Sequence, residues 1–204
     1  MMFKTHAAAG IASAVFITHP DDIKSLFICG TAACIGSVIS DIDVTTSKSR
    51  KGLGKIIAIA GVAAAVTCVA EFLFKPGIFS YIQKNTSLMQ VLMGIIFFIA
   101  VCIFGEHQPH RTFMHSIIGG ILLTASVAVI LPQCSMFFAI GFISHILLDL
   151  LNEKKVQLLY PSKKLSFSLC VCKAGKTADK VLCLAFSLAI VAEIIFFIFR
   201  VYVK

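Results

Sequence analysis

The chain has 204 residues, 58% of them hydrophobic and 14% charged, with a formal net charge of +8 and a mean hydropathy of +0.95. Soluble globular domains are nearer half apolar and a quarter charged, so this composition excludes that class and defines an integral membrane protein. Its apolar stretches are continuous rather than alternating, and at roughly 17 to 22 residues they suit helices crossing a core of about 30 Å, not barrel strands.

Taken in chain order, the apolar runs and their punctuation predict segments at 5–18, 23–40, 55–74, 88–105, 115–131, 135–151 and 181–201. The expected fold is therefore all-α: a polytopic helical membrane protein of about seven apolar helices, some short or re-entrant. It forms a single integral membrane domain over 1–204 with a basic loop at 152–180. The breaks carry turn chemistry at His19-Pro20-Asp21 and Lys75-Pro76-Gly77, and Pro132-Gln133-Cys134 reads as a short link between antiparallel neighbours. The first stretch follows only Lys4 and lacks a small-residue cleavage site, so it is expected to stay as a short segment that tilts or dips.

A seven-span path places the N-terminus and the loops at 41–54, 106–114 and 152–180 on one side. With Lys55 counted as a flank, thirteen Lys and Arg residues fall on that side and five on the other. By the positive-inside rule the richer side is cytoplasmic. The basic residues lie beside spans, without interleaved aromatics or a recognition helix, so they read as a face against anionic lipid and not as a nucleic-acid site. Eight cysteines lie mostly inside apolar runs with no CxxC pair and read as small core residues; Cys170-Val171-Cys172 is the one close pair.

Ionisable residues at membrane depth are costly and mark functional sites. Here the metal-ligand types gather at segment ends on the basic side. His145 and Asp149, four apart, share a helix face beside slim Gly141 and Ser144. Asp41 and Asp43 end the second segment, where a helix dipole disfavours carboxylates unless a cation answers them. Between Glu106 and Ser116 stand His107, His110 and His115, with Pro109 interrupting the helix, His110 on a loop folding back and His115 in the first turn of the fifth segment near a capping Ser116. His6 lies at the start of the first segment. Taken singly, these groups also fit a snorkelling helix end, a solvated turn and a polar loop. Glu71 and Glu193 read as structural or snorkelling, and His19 as loop.

Together, His6, Asp41, Asp43, His110, His115, His145 and Asp149 form a candidate metal set, best suited to zinc, with manganese or iron as alternatives. A divalent ion with an open position brings bound water to a pKa of about 7 and supplies hydroxide. Arg111 can hold an anionic oxygen through its planar fork, and Glu106 can act as a base behind the ligands. These parts suit hydrolysis of a phosphoester, in particular a lipid-borne one. The alternative from another class is a non-catalytic protein with a structural metal, or an ion-handling protein, although a carrier would distribute ionisable groups through the depth of several spans.

The motifs Thr5-His6 with Gly10, Ser40-Asp41-Ile42-Asp43 with Ser47, His110-Arg111 to His115-Ser116, Ser144-His145 to Asp149, and Leu158-Leu159-Tyr160-Pro161 with Phe167 span most of the chain. In this order the chain resembles the membrane-bound metal-dependent hydrolase family, the YdjM-like group that is LexA-regulated in some bacteria. The resemblance implies a bacterial inner-membrane protein and a hydrolase, with a distant likeness to the zinc-dependent phospholipase C group. Thr112 and Met114 stand where relatives often carry Gly and Thr, and Asn152 and Lys155 where Thr and Gly are common; these changes spare the ligand positions.

Overall fold

The computed structural model describes residues 1–43, 87–162 and 166–202. Six α-helices run through them: α1 (Phe3–Thr18), α2 (Ile23–Ile39), α3 (Leu88–Glu106), α4 (Ile117–Ile130), α5 (Pro132–Leu150) and α6 (Thr177–Tyr202). Short 3-10 turns follow α2 at Ser40–Asp43 and precede α4 at Phe113–His115. The all-α class holds, with six helices among the described residues. The expected segment at 55–74, the loop beyond Asp43 and the far loop up to residue 86 lie outside the described residues, as do Lys163 and Lys164.

Among the described residues, length and composition let four stretches cross a membrane: Ile23–Ile42, Met89–Glu106, Pro132–Leu150 and Thr177–Val201. At 16 and 14 residues, α1 and α4 are shorter than a full crossing. Large apolar side chains remain exposed along α3 and α6, among them Met93, Ile96, Leu184, Ile195 and Phe199. A soluble protein does not expose apolar area on this scale; lipid contact accounts for it.

Three boundaries differ from the sequence expectation. Pro132, Gln133 and Cys134 are not a link but the first turn of α5, because proline's fixed φ and missing N–H suit the first helical position. His115 precedes α4 instead of opening it, and Ser116 caps the helix by accepting from the Gly119 amide at 3.0 Å. Helix α6 starts at Thr177, and the preceding loop holds a two-residue antiparallel ladder, β1 (Val156–Gln157) with β2 (Ser166–Phe167).

Helices α2 and α5 form the centre, with α1 against both and α6 outside α1; α4 packs on α5 and α3 on α4. Small residues let the central backbones meet. A methyl group placed on Gly36 would fall on the Phe138 backbone, and one on Gly141 on the Ala33 backbone. Such close approach replaces the water-driven burial that lipid cannot supply. One apolar core (Ile39, Ile42, Cys102, Phe113, Met114, Leu123, Phe138, Phe142) seals this packing between α2, α3, α4 and α5.

The starts of α1, α4 and α6 share one end of the bundle with the ends of α2 and α5. At the opposite end Arg200 donates to the carbonyls of His19 and Pro20 and pairs with Asp21 at 3.1 Å. His19, at φ 42°, is there the residue that ends α1. Glu193 shares a small pocket with His19 and Arg200, away from the other histidines.

Candidate metal centre

Asp149, 1% exposed in the last turn of α5, is the hub. Its Oδ1 lies 3.4 Å from His6 Nε2 and 3.1 Å from the Met1 amino nitrogen. Its Oδ2 lies 3.4 Å from His115 Nε2, 4.0 Å from His145 Nε2 and 3.1 Å from an Arg111 guanidinium nitrogen. Across the cluster Asp41 Oδ1 stands 3.7 Å from His115 Nε2 and 3.8 Å from His145 Nε2. Three overlapping triads result: His6, Asp41 and His145; Asp41, His110 and His115; and His115, His145 and Asp149, the ligand atoms in each lying within 4.8 Å of one another.

Each histidine is held by its own local structure. The small-residue contact of α2 with α5 brings the Ser37 carbonyl to His145, whose Nδ1–H donates to it at 2.6 Å. A carbonyl only accepts, so the Nε2 lone pair is left facing the cluster, the arrangement that orients a metal-binding imidazole. His145 Nε2 is 3.2 Å from His115 Nε2, and the His145 ring stacks on His6 with centroids 3.9 Å apart. His110 folds back over His115 with ring centroids 5.1 Å apart, as its loop position suggested.

Arg111 is buried at φ 67°, a left-handed conformation that costs a non-glycine residue roughly 1–2 kcal/mol. Its surroundings hold it there. The Gln157 amide donates to the Arg111 carbonyl at 3.0 Å, and the side chain reaches the Lys154 carbonyl at 2.6 Å as well as Asp149. The loop after α5 is thereby fastened to the site.

Glu106 ends α3 at the same end of the bundle, with a buried Oε1 that has no hydrogen-bond partner, and it belongs to none of the triads. His107 turns away, its Nδ1–H donating to the Ile103 carbonyl. Asp43 closes the 3-10 turn, and its side chain lies outside the described residues. So six of the seven expected ligands converge: His6, Asp41, His110, His115, His145 and Asp149.

Sequence reading missed Asp179. Fully buried in the first turn of α6, it accepts from Thr5 Oγ1 at 2.6 Å, the Gly175 amide at 2.7 Å and the Met2 amide at 3.0 Å. Thr5 adjoins His6, so this carboxylate fixes the start of α1 and with it the height of His6.

The residues present fit a divalent metal. Beyond the donor chemistry, His6 is 1% exposed and neither ring nitrogen makes a hydrogen bond, with Nε2 standing 3.4 Å from Asp149 Oδ1. A buried polar group without a partner costs about 1–3 kcal/mol, and a bound ion would answer it.

Helices long and apolar enough to cross a membrane, with buried His and Asp donors at one end of the bundle, define a polytopic membrane protein with a candidate metal centre. The chain belongs to the YdjM inner membrane protein family, whose description matches residues 1–203. Neither the curated proteins nor the solved structures hold a significant match.

Proposed function

We propose that this protein is a membrane-bound metal-dependent hydrolase acting on a phosphoester, in particular a lipid-borne one, at the cytoplasmic edge of the membrane. The observation that carries this reading is the convergence of six His and Asp side chains from four helix ends and a loop at one end of a lipid-facing bundle. Zinc is the ion the donors suit best, and manganese and iron share these ligands. A bound divalent ion supplies an activated water near neutral pH and polarises a phosphoryl oxygen.

The chain's own residues do the rest. The Ser37 carbonyl keeps His145 in one tautomer, and Asp149 gathers three imidazoles. Arg111 adds a fixed positive charge beside them, which favours an anionic group and disfavours a neutral ester. Glu106, with its buried and unpartnered Oε1, is the nearby carboxylate suited to accepting a proton.

Arg111→Lys tests the reading. Lysine keeps the charge but cannot reach both the Lys154 carbonyl and Asp149, since it lacks the planar fork. Metal content should be retained, while kcat/KM on a phospholipid or lipid phosphate falls about 10- to 100-fold, the equivalent of about 1.5–3 kcal/mol for a lost charged hydrogen bond. Wild-type turnover in the variant, measured by phosphate or headgroup release, would remove Arg111 from the chemistry.

Sidedness has its own check. Cys170 is exposed in the basic loop, whereas Cys172 is buried, so Cys170 is the reporter. An impermeant maleimide should leave Cys170 unlabelled in intact cells and label it after permeabilisation, with Cys170→Ser as the blank. Labelling in intact cells would put the site on the other face.

A further inference from the structure

We propose that the cluster holds two metal ions rather than one, with His6 on the first, His110 on the second, His115 and His145 at their junction, and the carboxylates of Asp41 and Asp149 bridging both. This rests on reading the cluster as a metal centre. Donor number is the first ground. A catalytic zinc uses three protein ligands and keeps one position open, and six side chains offer donors here, more than one such ion takes.

The way the donors are shared is the second ground. An imidazole with one nitrogen committed as N–H offers a single lone pair and serves one ion. A carboxylate has two oxygens and can span ions about 3.5–4 Å apart. Two of the triads, His6 with His145 and His110 with His115, have Asp41 in common, so the shared member is the type of group able to bridge.

Asp149 repeats the pattern from the other side. Its Oδ1 approaches His6 Nε2 and its Oδ2 approaches His115 Nε2, each at 3.4 Å, one histidine of each pair. Donors around one tetrahedral ion at about 2.0–2.1 Å stand about 3.3 Å from one another, so both separations are those of neighbouring ligands on a common ion. Neither ring nitrogen of His6 makes a hydrogen bond, so a buried ligand atom faces this region beside Asp149. Two dications against two carboxylates leave a positive centre, the setting for a phosphoryl group whose attacking and departing oxygens are each stabilised.

Manganese is the probe, because it reports both count and spacing. Full-length protein in lipid nanodiscs, stripped and reloaded with Mn(II), should bind two ions per chain by elemental analysis. Its electron paramagnetic resonance spectrum should be that of spin-coupled neighbours. His6→Ala and His110→Ala should each retain one ion with an isolated-ion spectrum. One ion per wild-type chain, or two without coupling, would overturn the bridged pair, and the first of these leaves the hydrolase reading standing on a single ion. No bound metal at all would overturn both.

Discussion

Asp149→Ala is expected to empty the metal centre and take hydrolysis with it. One substitution removes contacts to His6, His115 and His145 and a carboxylate paired with buried Arg111. Loss of a group that stabilises the transition state costs about 10²–10³ in rate, the floor for a ligand that also holds the ion. The apo-protein should also weaken, because breaking a buried ion pair from one side costs about 3–5 kcal/mol. His145→Ala separates the two effects, since it deletes a donor without taking a carboxylate away from Arg111. Activity should vanish and bound metal should fall in both variants, with the large fall in thermal midpoint confined to Asp149→Ala. Full metal content in Asp149→Ala would refute its place as a ligand.

The second large effect comes from a single methyl group on Gly141. In an ordinary helix Gly→Ala stabilises by about 1 kcal/mol. Here the new carbon falls on the Ala33 backbone, which has no flexible end to move aside. Overpacking of about 1–3 kcal/mol or more then outweighs the propensity gain. Spreading α2 from α5 would also lengthen the 2.6 Å bond from His145 to the Ser37 carbonyl, so metal affinity should fall with stability. Gly30→Ala is the control on the same helix pair: its methyl meets nothing within 4 Å among the described residues, and it should be neutral to stabilising by up to about 1 kcal/mol. A thermal midpoint at or above wild type for Gly141→Ala, measured in detergent, would contradict the packing account.

Much of the site was legible because apolar runs show where a membrane chain ends its helices, and the titratable residues stand at those ends. His145 and Asp149 at helical spacing, the fold-back of His110 and the capping role of Ser116 all follow from local rules. Asp179 was not legible. A carboxylate in the first turn of a helix is commonplace because the dipole favours it, and its partner Thr5 is 174 residues away in sequence. The Ser37 carbonyl is hidden for another reason: backbone groups leave no mark on sequence, and only the meeting of Gly36 and Gly141 with the opposite backbones brings it near His145. Pro132 misled because proline signals both a break and a helix start, and the polar Thr177-Ala178-Asp179-Lys180 resembled loop although it is the first turn of α6. The left-handed backbone of Arg111 is imposed by Lys154, Gln157 and Asp149 together, and no local pattern at 110–112 announces it.

Phosphate or headgroup release by purified wild-type protein in lipid, assayed together with its bound metal before and after chelation, tests the central claim most directly. The metal-hydrolase account predicts divalent metal in the purified chain, turnover of a phospholipid or lipid phosphate, loss of both with chelator and recovery of both when zinc or manganese is returned. Turnover that persists in metal-free protein, or a fully metal-loaded chain inert on every phosphoester offered, would contradict it.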